Sequence, residues 1–193
     1  MFGVRIHGRG GQGVVTAAEM LSVAAFLDGH HAQAFPSFGS ERMGAPVVAF
    51  CRFDQQPIRS HDPIAEPDAV IVQDPTLLHQ VDLFAGLGPS GYVLINTEHS
   101  FDDLGLGELE RTMHPDHLLT VPGTEMAQRH IGRPVPNTVL LGGFVELTGA
   151  IGLPSVIAAI QRRFPGAQGE ANANAATEAA AYVRAEREAL SCA

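Results

Sequence analysis

FGVRIHGRGGQGVVTAAEML, residues 2 to 21, holds the pattern on which the reading of the fold turns. Phe2 to His7 alternates, with β-branched Val4 and Ile6, and the run of glycines Gly8, Gly10, Gly11 and Gly13 follows at once. Val14 to Leu27 then carries apolar residues at helical spacing until Asp28-Gly29 stops it. The order is strand, glycine-rich turn, helix, as in the first unit of a Rossmann-like α/β sheet. Glycines in such a turn permit close backbone approach, and the N–H groups that open the helix favour an anion.

Outward from that unit, His31 to Phe35 reads as a weak second strand ended by Pro36, and PSFGSERMGAP, residues 36 to 46, as a long loop. Val47 to Phe53 is a further strand. Ala69 to Gln73 and Tyr92 to Asn96 are short continuous apolar runs of the kind buried on both faces of a sheet, with helical material expected between them over Pro75 to Phe84. Leu118 to Val121 is another strand, and Pro122 to His130 a helix after it. Helical spacing covers Asn137 to Ile151 and Leu153 to Phe164, and the alanine-rich tail is a strong helix former from about Asn172 to Leu190. The expectation is a single α/β domain over residues 1–193, with a mostly parallel sheet flanked by helices and a helical C-terminal part from about 136.

Composition narrows the function. A net charge of −9 argues against a phosphate-backbone surface, so nucleic acid is not an expected partner. All 12 basic residues are arginine, which removes a Walker lysine, a Schiff-base lysine and a lysine general base. Cys51 and Cys192 are isolated, too few for an iron–sulfur cluster or a thiolate zinc site. No apolar run is long enough to cross a bilayer and no secretory leader is recognisable, so the expectation is a cytoplasmic protein without a membrane partner.

Gly8-x-Gly10-x-x-Gly13 has dinucleotide-turn spacing, but that fingerprint also needs an acid closing the second strand about 20 residues on. Asp28 stands at that distance yet belongs to the helix end, where it reads as a capping or exposed residue, and the second strand closes on Ala34-Phe35-Pro36. Arg9 could pair with a phosphate and Gln12 with a polar ligand or neighbouring subunit, or Gln12 could bond loop backbone while Arg9 lies on the surface. Ser40, Glu41 and Arg42, in the long loop, are placed near the carboxyl ends of the strands, where α/β sheets bind ligands. His114-x-x-His117 has helical spacing but is interrupted by Pro115 and lacks a third ligand at motif spacing, so no metal is expected. Pro36-Ser37-Phe38-Gly39 is only a fragment of a hydrolase elbow.

GRGGQGVVTAAEML, residues 8–21, taken with FPSFGSERMGAPVVAFCRFDQQPI, residues 35–58, resembles the gamma subunit of the 2-oxoacid:acceptor oxidoreductases, the family of the pyruvate:ferredoxin and ketoisovalerate:ferredoxin enzymes, with phenylglyoxylate dehydrogenase a relative. Residues 67–78 and 136–164 are also similar, so the resemblance spans nearly the whole chain. It implies membership of a complex that oxidises a 2-oxoacid with coenzyme A to an acyl-CoA and carbon dioxide. It further implies thiamine diphosphate and Mg2+ on alpha and beta subunits, iron–sulfur clusters chiefly on a delta-type subunit, and ferredoxin, or NAD through a separate flavin subunit, as acceptor. The gamma subunit is then expected to be inactive alone, with no catalytic residue. Gly8, Arg9, Gly10, Gly11, Gln12, Gly13, Ser40, Glu41 and Arg42 are the residues expected to contribute to the coenzyme A side of the site. A free-standing Rossmann-type NAD or FAD protein and a purely structural scaffold are the alternatives.

Overall fold

The structure is a computed structural model that describes residues 1–37 and 43–191. Six strands form one sheet in the order β2-β3-β1-β4-β5-β6, with β1 at Phe2–Arg9, β2 at His31–Pro36, β3 at Pro46–Asp54, β4 at Ala69–Val72, β5 at Tyr92–Asn96 and β6 at Leu118–Val121. β1, β4, β5 and β6 pair in parallel, Val4 opposite Ala69, Val70 opposite Val93 and Val93 opposite Leu118. β3 runs antiparallel to both of its neighbours, with Phe2 opposite Phe53 and Ala32 opposite Phe53. The two predicted strands flanking residues 36–46 are therefore a hairpin, and the second of its strands inserts beside β1.

One face of the sheet carries the long helices. α1 (Val14–Leu27), α3 (Gly123–Ile131), α4 (Asn137–Thr148), α5 (Leu153–Arg163) and α6 (Ala167–Ser191) cover Val4, Ile6, Ile71, Leu94 and Val121. α4 is buried along nearly its whole length and packs against α6, whose Ala173, Ala176, Ala179 and Ala180 turn inward. The alanines allow backbone contact: a Cβ at Gly142 would sit 1.9 Å from the Ala176 carbonyl oxygen. The opposite face, with Val70, Val72, Val93 and Ile95, is closed by Leu77, Leu83, Phe101 and Met113 from shorter segments.

Those shorter segments correct the sequence reading at two places. The helix expected over Pro75 to Phe84 is a 3-10 turn, Pro75–His79, capped by Asp74, which accepts from the Thr76 N–H at 3.0 Å. Asp74 and Pro75 start a helix well, but the five residues after Leu77 are all exposed or half-buried and offer too little apolar surface to extend it. A short helix, α2 (Gly107–Thr112), was not expected because it buries none of its residues and so leaves no apolar period in the sequence. Other boundaries moved modestly: α4 ends at Thr148 on the left-handed Gly149, and α6 begins at Ala167. No helix of the described residues is long and apolar enough to cross a membrane.

Candidate functional site: the glycine loop at the carboxyl edge

β1 delivers Arg9 to the carboxyl edge of the parallel strands, and Gly10 to Gly13 turn the chain into α1. Gly13 is the N-cap, at φ 72°, and no side chain caps the helix. A Cβ there would adopt a strained backbone and lie 2.5 Å from Asn137 Nδ2, so only glycine brings the α1 start so close to α4. Among the described residues no side chain caps the first-turn N–H groups of α1, and a helix start of this kind favours an anion.

Two side chains hold the loop. Gln12 Oε1 accepts from the Arg9 N–H at 2.7 Å, and Gln12 Nε2 donates to Asp74 Oδ2 at 2.9 Å. The Arg9 guanidinium spreads over three partners: Nη1 donates to the Gly44 carbonyl at 3.0 Å, Nη2 to Thr76 Oγ1 at 2.7 Å, and Nε lies 3.2 Å from Asp74 Oδ2. Burial works against the Asp74 charge, yet hydrogen bonds from Thr76 and Gln12, with Arg9 alongside, hold its carboxyl below the usual range. Arg9 is thus an internal tie between the loop and the strand-β4 turn, while Gln12 bonds loop backbone as one of the two expected alternatives had it. Sequence reading did not single out Asp74 or Thr76 as site residues; the signal available was an Asx-type cap directly after a buried strand.

The loop is also bonded to the far end of the 36–46 connection. Gly10 N–H donates to the Ala45 carbonyl at 2.9 Å and Gly44 N–H to the Gly10 carbonyl at 3.1 Å. Together they border an open cleft of about 480 Å³ lined, among the described residues, by Arg9, Gly10, Gly11, Gly13, Val14, Thr16, Met43 and Val47, none of them a carboxylate. Ser40, Glu41 and Arg42 lie outside the described residues. A second cleft of about 310 Å³ opens along the same edge at Asn96, Thr97, Glu98, His99, Thr124 and Glu125. There Asn96 Nδ2 donates to the Gln73 carbonyl and to Thr124 Oγ1, both at 2.8 Å, which ties β4, β5 and α3. Glu98 beside Glu125 pushes the Glu125 carboxyl up, as two like charges do.

Other sequence candidates fall elsewhere. Asp28 is exposed and joins two helices, accepting from Gly152 N–H at 3.2 Å and Ser155 Oγ at 2.7 Å, so it caps α5. It cannot serve a ribose at the glycine loop from there, and β3 stands between β1 and the end of β2. Both facts count against the dinucleotide reading. Cys51 is fully buried in β3 and burial raises its thiol pKa; Cys192 lies outside the described residues. His114 and His117 are brought together, and Asp116 joins them as the third group that motif spacing had not supplied.

These features define a class: an α/β subunit whose glycine loop and neighbouring hairpin form one side of an open pocket. The chain belongs to the pyruvate ferredoxin/flavodoxin oxidoreductase family, whose model matches residues 3–182. It is similar to the pyruvate/ketoisovalerate oxidoreductases common subunit gamma of Pyrococcus abyssi, 49% identical over 93% of this chain and 95% of that one. Pyruvate synthase subunit PorC of Methanothermobacter marburgensis is 46% identical over 91% of this chain and 94% of the other. Among solved structures, pyruvate oxidoreductase subunit PorC of Thermotoga maritima superposes with a TM-score of 0.77 at 33% identity, covering 93% of this chain and 94% of that one. The match to gamma subunits covers more than nine-tenths of the chain, and this chain is a gamma subunit of the family.

Proposed function

We infer that this gamma subunit works inside a multi-subunit 2-oxoacid:acceptor oxidoreductase that oxidises a 2-oxoacid with coenzyme A to an acyl-CoA and carbon dioxide, with ferredoxin, or NAD through a flavin subunit, taking the electrons. Its own share is assembly and the coenzyme A side of the pocket, through Gly8, Arg9, Gly10, Gly11, Gln12 and Gly13 together with Ser40, Glu41 and Arg42. The observation that carries this reading is the bonding of Gly10 to both Ala45 and Gly44, which joins the ends of the two motif segments at one open cleft. A helix start with no side-chain cap among the described residues, beside described lining residues none of which is a carboxylate, suits a phosphate-bearing ligand. With Arg9 held by Gly44, Thr76 and Asp74, the loop backbone makes the anion contact and Arg9 keeps the loop in shape.

The residues present do not fit the redox groups of such a complex. Cluster chemistry needs several thiolates, and the only cysteine among the described residues is closed inside β3. Thiamine diphosphate, Mg2+ and the clusters are therefore assigned to alpha, beta and delta-type partners, and the isolated chain is expected to be inactive. Co-purification from the native source, followed by a coenzyme A-dependent 2-oxoacid oxidation assay, tests this; an active stand-alone chain refutes it. In the complex, Arg9→Ala or Arg42→Ala is expected to raise the apparent coenzyme A requirement or loosen assembly. Unchanged kinetics and unchanged complex size for both would remove these residues from the site.

A further inference from the structure

We propose that His114, Asp116 and His117 form a zinc-class divalent metal site at the edge of the sheet opposite the glycine loop. One ligand atom from each residue lies within 4.8 Å of the other two. A tetrahedral Zn2+ with nitrogen and oxygen ligands at ~2.1 Å holds them roughly 3.4 Å apart, so His117 Nε2, 4.0 Å from Asp116 Oδ1, has to close in slightly, while His114 Nδ1, 2.5 Å from the same oxygen, has to open by about an ångström to admit the ion. Pro115 starts the 3-10 turn Pro115–His117 and sets this spacing, folding an interrupted H-x-D-H stretch so that both rings and the carboxylate converge.

The neighbours orient the set. Tyr92, the first residue of β5, stacks on the His117 ring at 4.0 Å, and His117 is the residue before β6, so this ligand rests on the sheet itself. Asp116 divides its oxygens: Oδ1 faces His114 Nδ1 and His117 Nε2, whereas Oδ2 faces the Arg187 guanidinium of α6 at 3.8 Å. A cation beside the second oxygen of a ligating carboxylate gives it electrostatic support from outside the metal centre, though at this distance not a hydrogen bond. His114 is exposed, and a cleft of about 260 Å³ lined by His114, Pro115, Asp116 and Leu190 leaves room for water to complete the coordination. Two imidazoles with one carboxylate select zinc, cobalt or nickel over calcium or magnesium, which prefer oxygen throughout. A bound ion would pin the end of α6 to the start of β6 through Asp116 and Arg187.

The experiment is Co2+ titration of the untagged full chain carrying Cys192→Ser, so that the C-terminal thiol cannot act as a ligand. Visible d–d absorption and calorimetry report binding, and circular dichroism checks the fold. One Co2+ per chain with N/O-type spectra, displaced by Zn2+ and weakened at least tenfold, roughly, by His114→Ala and by Asp116→Asn, is the expected result. Binding should also fall on acidification, because the ligands must shed their protons. His114 is exposed, so His114→Ala leaves folding intact and reads the site alone. No binding at millimolar Co2+, or equal binding by the parent and the His114→Ala, His117→Ala double variant, would overturn the proposal and leave the trio as an ion-pair cluster between the turn and α6.

Discussion

His7 is 6% exposed on β1, and its Nε2 has no hydrogen-bond partner among the described residues. Burial first, and the nearby Arg5 charge second, push its imidazole down to about 4. The unfolded chain therefore binds a proton near pH ~6.5 that the native chain refuses until about pH 4. In that window the unfolded state holds more protons, so stability falls as the pH falls, by up to about 3 kcal/mol from this one group. Urea denaturation at pH 7 and pH 5 should show the loss, and His7→Phe should flatten it. Asp74, Glu146 and Glu178 have lowered pKa values and give up their stabilisation at more acid pH, which separates the two effects. Gln12 offers a second test at this scale. Gln12→Ala removes the bonds to Arg9 N–H and to the Asp74 carboxylate, and should cost about 2 kcal/mol by thermal or urea unfolding. Retained stability would mean that Arg9 and Thr76 hold the loop without it.

At the scale of elements, the long helices were legible from apolar spacing and alanine content, and the parallel strands from short continuous apolar runs. The hairpin was not. His31–Pro36 and Pro46–Asp54 carry the composition of strands, but no local signal says that the second pairs antiparallel with β1, Arg5 opposite Phe50, and thereby fills the place beside the glycine loop. Strand order is a property of packing, and the sequence of one strand does not specify its neighbour. The contact of α4 with α6 was equally hidden. Gly142→Ala should drive a methyl into the Ala176 carbonyl and destabilise the chain by about 3 kcal/mol or more, read by its unfolding midpoint. Asp28→Ala removes the cap of α5 and should cost about 1 kcal/mol while leaving any activity of the complex unchanged. A ribose-binding role for Asp28 predicts the reverse pattern.

For the whole molecule, the decisive comparison is between the chain alone and the chain among its partners. Anything that binds only the folded state raises its melting temperature. NADH and FAD should leave the Tm of the isolated chain where it is, since no acid stands at the ribose position and β3 blocks the Rossmann strand order. A clear rise with either would restore the free-standing nucleotide-binding alternative. The sequence by itself determined the strand–glycine loop–helix unit, the α/β class and the kinship to gamma subunits, because these rest on local periodicity, turn chemistry and residue identity. The tertiary structure alone decided that Arg9 and Gln12 are bound inward by Asp74 and Thr76, that Asp28 serves α5, that β3 lies between β2 and β1, and that Asp116 completes the His114 and His117 pair. Most of those contacts join residues far apart in the chain, and the last depends on a fold-set turn; such partnerships are fixed by how the elements pack, which no local pattern encodes.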